Sequence, residues 1–137
     1  MAEHWSDGAG AGASEGAQAY LGTSVSGFPN LFMITGPNTG LGHTSMIFMM
    51  ESQFNYIVDA VEQMGSGGLS SVDVRVDVVR EYNQQLQAKL KGSVWNSGCA
   101  SWYLDSHGHN TTMWPDFTWR FRLLTRRFDE TRYVITS

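Results

Sequence analysis

The stretch Gly27-Phe-Pro-Asn-Leu-Phe-Met-Ile-Thr-Gly-Pro-Asn-Thr-Gly-Leu-Gly-His43 decides how this chain is read. Within it, Leu31-Phe-Met-Ile-Thr35 is a continuous apolar run bounded by turn residues, which predicts a strand buried on both faces. Gly36, Pro37, Asn38, Gly40 and Gly42 then demand irregular backbone, each through its own freedom or restriction at φ. From about Thr44 to Met64, the residues Met46, Ile47, Met49, Met50, Phe54, Ile57, Val58, Val61 and Met64 recur at helical spacing. Glu51, Ser52, Asn55, Asp59 and Glu62 take the other side. Thr44 or Ser45 can cap the start, and Gly65, Gly67 and Gly68 stop the end. Such a helix is about 30 Å long at 1.5 Å per residue. Strand, glycine loop and helix together aim free backbone N–H groups at whatever sits above the loop. On local physics alone, many units of this kind bind nothing.

Outward from this unit the signals thin. Residues 1–16 are glycine- and alanine-rich and read as a flexible leader with too little apolar surface to offset chain ordering. Gly8-Ala-Gly-Ala-Gly-Ala13 mimics a dinucleotide fingerprint, but no apolar strand precedes it and no helical periodicity follows. Val72, Val74 and Val76 alternate with Asp73 and Arg75, which predicts a half-exposed strand. Val79, Tyr82, Leu86 and Leu90 predict a helix ending at Gly92. Trp95, Trp102, Tyr103, Trp114, Phe117, Trp119 and Phe121 crowd the tail. There Phe117, Trp119, Phe121 and Leu123 alternate with Thr118, Arg120 and Arg122, a strand pattern.

The chain has 137 residues, a formal net charge of −4 and one cysteine, Cys99. One domain or less is expected, with no pull toward nucleic acid or anionic membrane. No intramolecular disulfide is possible, and no apolar run approaches a membrane span. Without a basic and apolar leader at Met1, a cytoplasmic location is expected. Cys99, Asp105, His107 and His109 match no common zinc spacing, so no metal site is expected. Arg120, Arg122, Arg126, Arg127 and Arg132 beside aromatics could bind single strands. A solvated face with salt bridges explains them as well.

Ala19-Tyr-Leu-Gly22, Gly27-Phe-Pro-Asn-Leu-Phe32 and Gly36-Pro-Asn-Thr-Gly-Leu-Gly-His43 follow one another here, with Phe48-Met-Met-Glu-Ser-Gln53 and Tyr56-Ile-Val-Asp59 beyond them. Together they resemble the C-terminal flavin-domain segment of Baeyer–Villiger and related flavin-containing monooxygenases. Val94-Trp-Asn-Ser-Gly-Cys99, Ser101-Trp-Tyr-Leu-Asp105, Asn110-Thr-Thr112, Trp114-Pro115 and Phe117-Thr-Trp119 resemble the terminal extension of one subgroup. The similarity runs over roughly residues 17–130, as several motifs in order.

The resemblance implies an α/β fold: a C-terminal fragment of a Rossmann-like FAD-binding domain plus an aromatic-rich, partly irregular extension. It divides the chain into 1–16, the leader; 17–65, with strand, flavin loop and long helix; and 66–137, a strand–helix unit and Trp-rich extension. It implies FAD and NADPH as cofactors, and O₂ and a small organic molecule as reactants. One oxygen atom would be inserted into a ketone or passed to a soft nucleophile. By position Gly36, Pro37, Asn38, Thr39, Gly40 and Leu41 would line the flavin's pyrimidine side, with Thr44 and Ser45 starting the helix that points there. No GxGxxG motif for either dinucleotide is found, and neither is the family's Phe-x-Gly-x-x-x-His-x-x-x-Trp-Pro pattern. No catalytic residue is therefore named. The isolated chain is expected to be inactive and to need an N-terminal FAD/NADPH portion. The alternative is a non-enzymatic module docking through its apolar helix stripe and Trp-rich tail.

Overall fold

The computed structural model describes residues 17–41, 45–91 and 108–137. The glycine-rich leader and the mimic at residues 8–13, Gly42, Thr44, Gly92, Trp95, Trp102 and Tyr103 lie outside these. Helix α1 spans Met46–Gly67. It starts where predicted, because the Ser45 side chain accepts a hydrogen bond from the Ile47 N–H. It stops at Gly68, which takes left-handed backbone and donates its N–H to the Met64 carbonyl.

Strand β1 (Ser71–Val74) follows, then helix α2 (Val76–Lys91). A short helix α3 (Thr118–Leu124), a 3₁₀ turn (Glu130–Arg132) and strand β2 (Tyr133–Thr136) complete the described residues. β1 and β2 pair antiparallel with Val72 opposite Ile135 and Val74 opposite Tyr133. Val72 and Val74 turn inward as their alternation predicts.

One core joins these parts. Tyr56 and Ala60 of α1, Val72 and Val74 of β1, Val79 and Leu86 of α2, and Phe121, Phe128 and Tyr133 pack together. The ring centroids of Phe128 and Tyr133 lie 4.5 Å apart, and those of Trp114 and Phe121 5.1 Å apart edge-on. The tyrosines form a buried hydroxyl chain. Tyr133 OH lies 2.9 Å from Ser24 Oγ and 2.8 Å from Tyr56 OH.

Two predicted strands are absent. Residues 31–35 are irregular, and Leu31 is exposed. Asn30 and Thr35 bracket the run with φ of 59° and 56°, a left-handed conformation that no strand continues through. Its backbone bonds scatter instead of forming a ladder. Met33 N–H donates to the Thr23 carbonyl, and Thr35 N–H to the Gln53 side chain. A strand covered on both faces needs layers that the described residues do not contain.

The aromatic alternation at 117–123 is helical. Of the four apolar residues, only Phe121 is buried, while Phe117, Trp119 and Leu123 face out. Asp116 accepts from the Phe117 N–H and pairs with Arg120 one turn on, which favours the helical start.

Candidate functional site

The loop after residue 35 is clamped from two sides by carboxamides. Gln53, fully buried on α1, accepts from the Thr35 N–H at 2.9 Å. Its amide nitrogen donates to the Gly22 carbonyl at 3.0 Å and to Thr23 Oγ1 at 2.9 Å. On the other side, the Asn38 amide donates to the carbonyls of Asn110, at 2.7 Å, and Met113, at 3.0 Å. The Asn110 side chain accepts from the Thr112 and Met113 N–H groups. Gln87 of α2 holds Asn110 through both its N–H and its carbonyl. Each buried polar group in the clamp is thereby satisfied, which rigidifies the loop.

After a turn at Pro37 and Asn38, where Asn38 takes left-handed backbone, the loop meets residues 111–114 in a single parallel bridge between Gly40 and Met113. Asn38 and Gly40 donate their N–H groups to the Thr111 and Thr112 carbonyls, and Gly40 accepts from Trp114. The N–H groups of Thr39 and Leu41 meet no backbone acceptor among the described residues. Glycine is required at 36 and 40 by close approach. A Cβ on Gly36 would stand 2.3 Å from the Gly22 carbonyl oxygen, and one on Gly40 2.7 Å from that of Thr112.

An open cleft of about 410 Å³ lies over this loop. Thr35, Gly36, Pro37, Thr39 and Gly40 form one side, Thr111 and Thr112 another, and Met46 marks where α1 begins. None of the lining side chains is ionisable. No acidic residue occupies the first turn of α1, so its dipole is not offset there. The cleft can offer backbone N–H groups and threonine hydroxyls to a neutral or negative ring edge.

Of the residues predicted for the site, Gly36, Pro37, Thr39 and Gly40 line the cleft. Asn38 does not; its side chain is buried as an anchor. Ser45 is the helix cap, and Thr44 lies outside the described residues. Leu41 packs against the core. Sequence reasoning missed Thr35, Met46, Thr111 and Thr112, as well as the anchors Gln53 and Asn110. The metal candidates Cys99, Asp105 and His107 also lie outside; among the described residues no three metal-ligating side chains cluster. Of the arginines, Arg120 pairs with Asp116 and Arg132 with Asp129. Arg122 reaches Glu51 and sits 3.9 Å above the Phe48 ring.

No family model matches the chain. A Baeyer–Villiger monooxygenase of Pseudomonas aeruginosa is 53% identical over 126 residues, 90% of this chain and 24% of that protein. One of Streptomyces coelicolor is 48% identical over 122 residues, 88% of this chain and 24% of that protein. This chain resembles a segment of the Baeyer–Villiger monooxygenases. It spans about a quarter of the length of these relatives. Among solved structures, an oxidised steroid monooxygenase bound to NADP aligns with a TM-score of 0.79 at 21% identity, over 90% of this chain and 24% of that one. OTEMO in complex with FAD and NADP aligns with a TM-score of 0.74 at 15% identity, over 90% of this chain and 23% of that one. At such identities the likeness is one of fold. The fold is thus an α/β fragment with an aromatic extension, like the matching part of these structures. No helix among the described residues is long and apolar enough to cross a membrane.

Proposed function

We propose that this chain is the flavin-facing, C-terminal quarter of an FAD- and NADPH-dependent monooxygenase, working in the cytoplasm on a small organic substrate and O₂. The observation that carries the reading is the 53% identity to a Baeyer–Villiger monooxygenase along 90% of this chain. The residues present suit the group: the cleft is uncharged, rimmed by threonines, and opens where α1 begins. Residues 17–65 would face the flavin, and 66–137 would brace them.

When bound, FAD supplies the redox and oxygen-transfer chemistry, with NADPH as reductant. This chain's own part is to hold and orient. Gly36, Pro37, Thr39 and Gly40 would form the surface against the ring, and the Thr39 and Leu41 N–H groups would be its donors. The α1 N-terminus would stabilise negative charge there by about 0.3–2 kcal/mol. Gln53 and Asn38 keep those donors in place. Both dinucleotide fingerprints would lie in the other three-quarters, so this chain alone is expected to retain no flavin and to turn nothing over.

The test is a chimera in which this chain replaces the matching quarter of the Pseudomonas aeruginosa relative. A yellow protein that keeps stoichiometric FAD through gel filtration and consumes NADPH in the presence of O₂ is the expected result. A folded chimera without flavin would refute the reading.

A further inference from the structure

Three methionines lie against the glycine loop, and one of them opens into the cleft. Met113 sits behind Gly40, where a Cβ would stand 3.3 Å from its Sδ, and it is 3% exposed. Met33 sits beside Gly36, where a Cβ would meet its Cε at 3.2 Å. Met46 lines the cleft itself and is half-buried. It carries the only sulfur among the lining residues, whose other functional groups are threonine hydroxyls and backbone amides. A thioether is soft and polarizable, and it takes an oxygen atom from a peroxide where a hydroxyl or an amide does not. The same loop carries the Thr39 and Leu41 N–H groups, which meet no backbone acceptor among the described residues. A donor of that kind stabilises the oxygen that departs when an O–O bond breaks.

We propose that the Met46 thioether is an oxygen-acceptor site, converted to the sulfoxide by a hydroperoxide in the cleft whenever no organic substrate is there to take the oxygen. This deepens the proposed function and rests on it, since an enzyme that activates O₂ with NADPH supplies an oxidant of that class. The step balances without a further reactant. The sulfur lone pair attacks the outer oxygen of R–O–O–H, an S–O bond forms and the O–O bond breaks. The proton of the outer oxygen passes to the inner one, so the products are the sulfoxide and R–O–H. Sulfur is oxidised by two electrons and the peroxide is reduced by two. The product places a polar, chiral S=O group on the cleft wall next to the helix cap Ser45, and methionine sulfoxide reductases reverse it. Met46 thus records turnover without substrate as a covalent mark, while Met113, shielded behind Gly40, stays reduced.

The experiment maps oxygen incorporation at each methionine by fragment-ion mass spectrometry, in the isolated chain and in the chimera. Met64, also half-buried, is the reference, about five turns and about 27 Å further along α1. In the isolated chain treated with hydrogen peroxide, Met46 is expected to oxidise about threefold faster than Met64. Its lead over Met49 and Met113, which are 0% and 3% exposed, should be at least about tenfold. In the chimera the oxidant comes from NADPH and O₂, with catalase present to destroy free peroxide. There Met46 is expected to oxidise at least about tenfold faster than Met64, and methyl phenyl sulfide, a competing thioether, to suppress the reaction. A chimera that holds FAD and consumes NADPH but oxidises Met46 no faster than Met64 would overturn the site and leave the cofactor reading standing. Oxidation that catalase abolishes, or that the competing thioether leaves untouched, would overturn it as well. A chimera without flavin would sink the cofactor reading, and hydrogen peroxide then decides alone. A lead of Met46 over Met64 in the isolated chain supports the site, and parity overturns it.

Discussion

Helix α1 keeps Gln53 and Ser52 inside and holds Phe54 and Val58 outside. The two faces differ in how far this chain satisfies them. On the inner face every polar atom of Gln53 has a partner, and Tyr56 closes the hydroxyl chain with Tyr133. The outer face presents apolar side chains that are about half exposed. Hydrophobic periodicity ran through Met49 and the outer residues and put Ser52, which is buried, on the polar side, because it reports that a residue avoids water and not which layer removes it from water. Among the described residues the core covers one face only.

The largest effect expected is on the inner face. Tyr56→Ala removes a fully buried ring packed 5.5 Å from Phe128 and strands the Tyr133 hydroxyl. A loss of about 3–5 kcal/mol is expected in denaturant unfolding. A loss under 1 kcal/mol would mean that the inner face is no better packed than the outer one.

Gln53→Leu comes next. The shape is nearly kept, but the Thr35 N–H loses its acceptor and the Gly22 carbonyl and Thr23 hydroxyl lose a donor. About 2–3 kcal/mol is expected, at the upper end for buried polar groups left unmade. Amide exchange should speed up at Thr35 more than at residues of β1. Uniform acceleration would show that Gln53 supports the whole fold and not the loop in particular.

These two residues also show what the sequence could and could not reveal. Ser45 and Gly68 announce the ends of α1 because capping is local chemistry, written within a few residues. The cleft loop was legible for the same reason, since its glycines and proline dictate irregular backbone wherever they stand. Gln53 was not legible. It reads as one more polar residue in a helix, and its role exists only once residues 21–23 and 35 are folded beside it. Asn110 is hidden in the same way. Leu31-Phe-Met-Ile-Thr35 has the composition of a covered strand, but strands are completed by neighbours, and the left-handed Asn30 and Thr35 break this one. Tyr133-Val-Ile-Thr136 was the opposite miss. Four strand-forming residues do form β2, and they stood behind a louder alternation at 117–123 that proved helical.

Alkaline pH tests the inner side without mutation. Burial pushes the Tyr133 phenol up to about 12, against the lowering effect of its bonds to Ser24 and Tyr56. Burial also raises Tyr56 and Tyr82 well above the ordinary value of 10. Above that value the unfolded chain releases protons that the folded chain keeps, so stability falls as pH rises. Each of these tyrosines should remove about 1.4 kcal/mol per pH unit, beginning near pH 10. Phenolate absorbance at 295 nm should appear together with loss of helix. Absorbance that rises near pH 10 while the helix signal holds would show that these hydroxyls reach water.

The smallest effects expected separate the faces most sharply. Tyr82 has a buried hydroxyl with no hydrogen-bond partner among the described residues, although its ring packs edge-on against Tyr20 at 5.3 Å. Tyr82→Phe removes a desolvated group and keeps the ring, so stability should hold or rise by up to about 1 kcal/mol. Val58→Ser on the outer face of α1 should change the isolated chain by about 0.5 kcal/mol or less, because a half-exposed valine has little burial to lose. The same change inside the chimera should cost about 1–2 kcal/mol if another layer removes that side chain from water. Equal costs in the two backgrounds would mean that the outer face stays bare in the larger protein, and the two faces of α1 would then differ in composition but not in what they are for.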